Sequence, residues 1–129
     1  MTERSRDWFR QAERDLEQAL DSKSANRHEW ACFAAHQAAE KAVKALHLVN
    51  KQEAWVHVVA QLLRELPENL DVPEDLIDLA QVLDNYYIPT RYPNGHPSGS
   101  PFDHYGVLQS DQAVKYASEI INFVRTKMA

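Results

Sequence analysis

Apolar residues recur every three or four positions along most of the chain, which is the spacing of one face of an α-helix. Five segments show this pattern: residues 2–21, 26–50, 56–66, a stretch between Pro73 and Pro89, and 110–128. No segment shows the alternation of apolar and polar residues, or the hairpin turns, that indicate a β-sheet. The sequence therefore predicts an all-α protein, a single domain over residues 1–129 that forms an up-and-down antiparallel bundle of four to five helices.

The second segment is predicted to be the central helix. Its residues WACFAAHQAAEKAVKALHLV are apolar or small on nearly every side, and Asn26 with Glu29 predicts a capping box at its start. A row of polar side chains crosses this otherwise apolar helix. Burying such groups without partners is costly, so the row predicts a structural network, the wall of a cleft or a subunit interface. Its members are His36, Gln37, Glu40, Lys41, Lys44 and His47.

The fourth and fifth segments are separated by the most irregular stretch of the chain, YIPTRYPNGHPSGSPFDHYG. It holds four of the six prolines and all three glycines, and so long a loop in a compact helical domain is commonly functional or mobile. Arg91 and His96 lie within it, five positions apart. An arginine can hold a phosphate and a histidine can move a proton. Together they suffice for metal-free RNA cleavage that ends in a cyclic phosphate, so both are candidate catalytic residues.

Composition narrows the class of protein. Apolar residues make up 44% and charged residues 26% of the 129 positions, as in folded domains rather than disordered chains. The net charge of -5 argues against a broad nucleic-acid surface. Seven acidic residues and no Lys or Arg lie between positions 65 and 84, where we expect a solvated face or a docking surface for a basic partner. The single cysteine and the short apolar runs predict a cytoplasmic protein that does not enter a membrane.

The residues give little support for a metal site or for a reactive cysteine. His28, Cys32 and His36 share one helix face, but the outer two lie about 12 Å apart along the axis, too far for all three to hold one ion. No zinc-binding or phosphate-loop motif is present, so no metal and no cofactor is expected. Cys32 lies in an apolar helix without an activating base and is expected to be inert.

Four stretches of the sequence resemble the HEPN domain family. They are DWFRQAERDLEQA at the start, WACFAAHQAAEKAVKALHL in the second helix, HVVAQLLREL in the third, and LDNYYIPTRYP after the fourth. The resemblance covers essentially the whole chain. It implies a four- or five-helix bundle that is usually dimeric, with a shared groove that can hold nucleotide or RNA.

The resemblance also implies a mechanism and a partner. Ribonuclease branches of the family carry an arginine, four to six residues and then a histidine, which Arg91 and His96 match in spacing. Those nucleases commonly have a polar residue after the arginine, where this chain has Tyr92. Toxin members often have a tyrosine two residues after the histidine, where this chain has Ser98. Such toxins act with a minimal nucleotidyltransferase protein.

The sequence thus leads to two functional hypotheses. The first is a dimeric HEPN-like nucleotide- or RNA-binding protein that acts with a minimal nucleotidyltransferase, as a toxin with metal-independent endoribonuclease activity. The alternative is a non-catalytic helical interaction module or dimerisation subunit. In the first, the groove lies between the loop and the second helix, and Tyr92 and Tyr105 stack on a base. The nucleotide-binding residues predicted there are Arg91, Tyr92, His36, Lys44 and Tyr105.

Overall fold

The computed structural model describes residues 4–129, which form a bundle of five α-helices. The helices are α1 (Arg4–Ser24), α2 (His28–Val49), α3 (Val59–Arg64), α4 (Glu74–Asp84) and α5 (Val107–Met128). Three single 3₁₀ turns, Glu68–Leu70, Pro93–Gly95 and Pro101–Asp103, lie in the connections, and this range contains no β-strand. The predicted all-α class is confirmed. None of these helices has the length and apolar character needed to cross a bilayer.

Helix α2 lies at the centre of the bundle, as predicted, and packs against each of the other four helices. Its alanines are small enough to let α1 and α5 approach closely, and most of them are fully buried. Larger side chains from α2 itself and from the surrounding helices fill the rest of the core. The largest fully buried apolar ones are Val43, Leu46, Val59, Leu62, Leu63, Leu83, Ile120, Ile121 and Val124.

The junction between α1 and α2 differs from its prediction. Asn26 does not cap α2, because α1 continues to Ser24 and Asn26 adopts a left-handed conformation with φ 60° just beyond its end. The amide of Arg27 donates to the carbonyl of Ser22 over 2.8 Å, and that of Asn26 to Lys23 over 3.0 Å. This is a Schellman ending, which asparagine tolerates better than most residues. Helix α2 begins after Arg27 without a side-chain cap.

Helix α3 is shorter than the predicted segment and starts only at Val59. The reason lies on another helix. The carboxylate of Asp84, the last residue of α4, accepts the backbone N–H groups of Val59 over 2.7 Å and Ala60 over 3.0 Å. Asp84 therefore caps the start of α3, a role that usually belongs to the residue just before the helix. Residues 52–58 run without regular structure to reach this point.

Helix α5 starts at Val107, three residues earlier than predicted. The side-chain oxygen of Gln109 accepts the N–H of Gly106 over 2.9 Å and so closes the first turn. The preceding loop is tied to the end of α4 by side-chain hydrogen bonds. The buried Thr90 hydroxyl, for example, donates to the carbonyl of Tyr86 over 2.6 Å. The Pro- and Gly-rich stretch is therefore held in place by hydrogen bonds, although most of its residues are exposed.

Candidate functional site

Arg91 is held at the surface by contacts that leave its terminal nitrogens available. Its Nε donates to the carbonyl of Tyr87 over 2.9 Å. The guanidinium carbon lies 4.3 Å from the ring centre of Phe33 and 4.9 Å from that of Tyr87. None of the ion pairs formed within residues 4–129 involves Arg91. A fixed guanidinium without a carboxylate partner is a suitable ligand for a phosphate.

Aromatic rings surround Arg91 and form a surface that we call the aromatic face, composed of Trp30, Phe33, Tyr87 and Tyr92. Phe33 packs 6.2 Å from Trp30 and 6.3 Å from Tyr87, measured between ring centres. The Tyr92 ring lies 5.2 Å from the guanidinium carbon of Arg91. Trp30 and Tyr92 are each about half exposed, at 49% and 48%. Exposed rings beside a cation are the arrangement that binds bases and phosphates of single-stranded nucleic acids.

A groove between α1 and α2 adjoins this face, with a volume of about 510 Å³. Phe33 belongs both to the groove and to the ring contacts of Arg91. Across the groove, Lys41 pairs with Asp15 over 2.6 Å. Amide and aromatic side chains supply most of the remaining wall. The full lining is Asp15, Gln18, Ser22, Arg27, Trp30, Phe33, Ala34, Gln37 and Lys41.

His96 belongs to a different cluster from Arg91. Its Nε2 donates to the carbonyl of Pro89 over 2.7 Å, and its ring stacks on that of His104 at 4.1 Å and 2°. The ring of Tyr105 contacts it edge-on at 5.8 Å. The contacts of His96 and those of Arg91 have no side chain in common. The structure therefore does not bring the predicted catalytic pair into contact, and the role of the pair stays a prediction.

The whole chain was compared with protein families and solved structures. The model of the HEPN domain matches residues 5–127. This chain belongs to the HEPN domain family. A crystal structure of an archaeal HEPN homologue is 37% identical, with a TM-score of 0.84, and the match covers 99% of this chain and 100% of the homologue. The recognition made from the sequence is confirmed.

Two further solved structures are similar to this chain over nearly their full lengths. The protein TT1696 from Thermus thermophilus is 50% identical with a TM-score of 0.96, and the match covers 98% of this chain and 99% of TT1696. A HEPN domain protein from Thermotoga maritima is 36% identical with a TM-score of 0.75, and the match covers 94% of this chain and 96% of that one. The comparison with curated proteins found no match.

Two of the predicted nucleotide-binding residues of this HEPN bundle lie in its interior, and a third, Tyr105, is partly buried. His36 is fully buried and its Nε2 donates to Asp84 over 3.1 Å. Lys44 is buried and donates to Glu40 over 2.8 Å. Tyr105 packs against Tyr86 at 5.8 Å, and burial raises the pKa of its hydroxyl. Only Arg91 and Tyr92 of the predicted set lie on the aromatic face.

The polar row on α2 has partners on three other helices, and of its buried atoms in residues 4–129 only Nδ1 of His47 has no hydrogen-bond partner. Lys41 reaches Asp15 on α1, and His36 reaches Asp84 on α4. His47 donates from Nε2 to the carbonyl of Leu62 on α3 over 2.7 Å. These contacts form the structural network that was one of the sequence-based interpretations. The row also runs beside the aromatic face, because Gln37 borders the groove.

Sequence reasoning missed His57, which the structure places against this face. Its ring stacks on that of Tyr87 at 4.9 Å and 18°, and its Nδ1 lies 3.0 Å from the buried carboxylate of Glu40. No motif or period of the sequence marks His57, because it lies in the irregular segment before α3. The i, i+3 and i+7 spacing of Phe33, His36 and Glu40 would have indicated a shared stripe on α2, but not what covers that stripe.

Cys32 is predicted to be chemically silent in the folded HEPN domain. Burial, with a smaller contribution from the Glu29 carboxylate, raises the pKa of its thiol to about 12. The reactive thiolate is therefore nearly absent at pH 8. We expect a disulfide exchange reagent such as DTNB to leave the folded protein unmodified at pH 8, and to modify the thiol once urea unfolds the chain.

The raised pKa of the Cys32 thiol also predicts that the folded protein is less stable in alkali. An unfolded thiol loses its proton near pH 8.5, whereas the folded thiol does not, so ionisation above this pH favours the unfolded state. Tyr86, whose pKa burial raises to about 12, acts in the same direction. Urea denaturation should therefore give a lower free energy of unfolding at pH 10.5 than at pH 8. Rapid, stoichiometric labelling of Cys32 by DTNB in the folded protein at pH 8 would contradict the raised pKa of its thiol.

Proposed function

We propose that this HEPN protein binds nucleotides or single-stranded RNA at the aromatic face, with Arg91 as the ligand of the phosphate. Membership in the HEPN family supports a nucleotide- or RNA-related function. The observation that carries the proposal is the guanidinium of Arg91, fixed by the Tyr87 carbonyl and the Phe33 ring. It has an oriented hydrogen-bonding edge, and no carboxylate of residues 4–129 neutralises it.

The surroundings of Arg91 supply the means to hold a base. A base stacks on an exposed aromatic ring with little regard to its sequence, and Tyr92 and Trp30 are the half-exposed rings of this surface. The amide groups of Gln18 and Gln37 line the adjoining groove and can donate to or accept from a base edge. Because the net charge of the chain is -5, binding depends on this local site and not on a broad basic surface.

We further infer a cytoplasmic homodimer that acts with a minimal nucleotidyltransferase protein. HEPN domains commonly form dimers. Apolar side chains near the start of α5 support a protein contact, since Phe102, Val107 and Leu108 are all exposed. The single cysteine, Cys32, is free and buried, which suits a reducing compartment. Copurification of the two proteins from a strain that expresses both, followed by measurement of the mass of the complex, tests this part.

The proposal extends to a metal-independent endoribonuclease of the toxin type, in which Arg91 stabilises charge on the phosphate. His96 is the acid or base that the family motif supplies. Its Nε2 donates to the Pro89 carbonyl, so only Nδ1 remains for such a role. RNA cleavage and growth arrest by the wild type, Arg91→Ala and His96→Ala, with the nucleotidyltransferase expressed or withheld, test the activity. Identical behaviour of the three proteins would remove the nuclease and leave binding.

Binding itself is tested by replacing Arg91. Two hydrogen bonds from a guanidinium to a phosphate contribute about 1.5–3 kcal/mol, so Arg91→Ala is expected to weaken binding about tenfold or more. The measurement is fluorescence anisotropy of a labelled single-stranded RNA oligonucleotide and of a labelled nucleoside triphosphate.

Arg64→Ala provides the matched control, because Arg64 is an exposed arginine on α3. Its affinity should equal that of the wild type. Arg91→Lys should recover only part of the affinity, since an ammonium cannot form the paired contact. The proposal is wrong if the wild type binds neither probe, or if Arg91→Ala binds them as tightly as the wild type.

A further inference from the structure

We propose that His57, oriented by Glu40, takes the proton of the 2'-hydroxyl in an RNA strand whose phosphate is held by Arg91, a role that the family motif gives to His96. This inference rests on the proposed function and adds a residue to the same site. Neither His57 nor Glu40 belongs to the arginine–histidine motif. The argument depends on three features: the pairing of His57, the protonation state that this pairing requires, and the position relative to Arg91.

The first feature is an exposed imidazole attached to a buried carboxylate. The Nδ1 atom of His57 lies 3.0 Å from Oε2 of Glu40, and the two side chains are 52% and 6% exposed. Stacking on the Tyr87 ring at 4.9 Å fixes the plane of the imidazole. A histidine held in this way presents its second nitrogen, Nε2, to the solvent in a defined direction. That arrangement is the one by which a carboxylate orients a catalytic histidine.

The second feature is the assignment of protons in this cluster. Glu40 accepts hydrogen bonds from Nζ of Lys44 over 2.8 Å and from Nε2 of Gln37 over 3.4 Å. As the carboxylate of the ion pair with Lys44, Glu40 is the acceptor for the histidine as well. His57 must therefore donate from Nδ1, and in the neutral ring Nε2 carries the lone pair. Within the described part of the chain, Nε2 has no hydrogen-bond partner, so it is free to act as a base.

The third feature is the common contact with Tyr87. Its ring centre lies 4.9 Å from that of His57 and 4.9 Å from the guanidinium carbon of Arg91. The two groups are therefore no farther apart than the sum of these distances. A single phosphodiester with its ribose extends over such a span when the strand follows the aromatic face. His96 lacks this relation to Arg91 and uses its Nε2 on Pro89.

The chemical class that fits is an RNA strand with a free 2'-hydroxyl next to the bound phosphate. His57 Nε2 takes the proton of this hydroxyl while the 2'-oxygen forms a bond to phosphorus. The bond from phosphorus to the 5'-oxygen breaks, and its electron pair leaves on that oxygen, which takes a proton from water. The imidazolium then returns its proton to the hydroxide that remains. The products are a 2',3'-cyclic phosphate and a 5'-hydroxyl, and Arg91 stabilises the charge on the phosphoryl oxygens during the reaction.

Cleavage of a labelled single-stranded RNA oligonucleotide tests the inference, with the wild type, His57→Ala and His57→Gln compared at equal concentration. We expect both variants to cleave about 100-fold more slowly than the wild type, and to bind the RNA within about threefold of its affinity. Because the ring is exposed, free imidazole in the buffer should restore cleavage by His57→Ala. A purely structural role of His57 would not give this rescue.

The controls separate this inference from the proposed function. His28→Ala removes a histidine outside this site, one that pairs with Ser110 on α5, and should cleave like the wild type. A DNA strand of the same sequence should bind without being cleaved, because it lacks the 2'-hydroxyl. If the wild type does not bind RNA, the proposed function fails. If it binds RNA and yields no cyclic phosphate, the endoribonuclease activity and the role of His57 are both overturned, and binding stands. If His57→Ala cleaves at the wild-type rate, only the role of His57 is overturned.

Discussion

Glu40→Gln is expected to lower the free energy of unfolding by about 3–5 kcal/mol, because it leaves a buried ammonium without a counter-ion. The side chains of Glu40 and Lys44 are only 6% and 9% exposed, and Nζ lies 2.8 Å from Oε2. Breaking one side of such a pair costs far more than removing both sides. Urea denaturation followed by far-ultraviolet circular dichroism measures the change.

The double variant Glu40→Gln with Lys44→Met distinguishes the pair from its packing. A methionine of similar length removes the unpaired charge, so the double variant should recover most of the lost stability, and the cycle gives the coupling between the two sites. Glu53→Gln is the matched control, since Glu53 is exposed nearby, and should change stability by less than about 0.5 kcal/mol. A Glu40→Gln protein as stable as the wild type would contradict the burial of a charged pair.

Asp84→Ala is expected to destabilise the fold by about 2–4 kcal/mol, since three hydrogen-bond donors lose their acceptor. They are the backbone N–H groups of Val59 and Ala60 and the fully buried ring of His36. The first two begin α3, so its first turn should fray before the rest of the bundle. Urea denaturation gives the global change, and amide hydrogen exchange at the start of α3 gives the local one.

Asp78→Ala supplies the comparison on the same helix, because Asp78 is an exposed acid of α4. It should leave both the unfolding midpoint and the exchange of α3 unchanged. Asp84→Asn, which keeps one acceptor oxygen, should fall between the wild type and Asp84→Ala. Equal exchange rates at Val59 in Asp84→Ala and the wild type would rule out the cap from α4.

These two expectations concern the same face of α2 that carries the candidate site. Glu40 joins the buried ammonium of Lys44 to the exposed imidazole of His57. Asp84 joins the buried His36 to the start of α3, and His36 in turn contacts the ring of Tyr87 at 5.3 Å. The polar groups that pair in the interior therefore also hold His36 and His57, which both contact the Tyr87 ring.

The helices could be predicted from the sequence because their causes are local. Apolar spacing, prolines at positions 67, 73 and 89, and the small residues of α2 determine which segments are helical and which one is central. One error occurred at a local turn that ends one helix before the next begins, and the other where a helix end depends on a distant residue. Asn26 was assigned to α2 but ends α1, and α3 begins only where Asp84 supplies acceptors.

The candidate site could be predicted only in part. Arg91 and Tyr92 stand out because a Pro- and Gly-rich segment in a helical chain marks a surface loop, and the structure places both on the aromatic face. His36 and Lys44 were expected there because polar residues on an apolar helix need partners. Their partners are Asp84 and Glu40, inside the bundle. The two side chains are therefore paired in the interior and are not exposed in a binding groove.

The sequence by itself determined the all-α class, the central place of α2, the HEPN resemblance and the loop that carries Arg91, since each depends on residues close together in the chain. Tertiary structure alone decided which histidine lies near Arg91. His57 and Glu40 are 17 positions apart, and Tyr87, which joins them to Arg91, lies on a third segment. Such a meeting depends on how helices pack, and no periodicity within one segment contains that information.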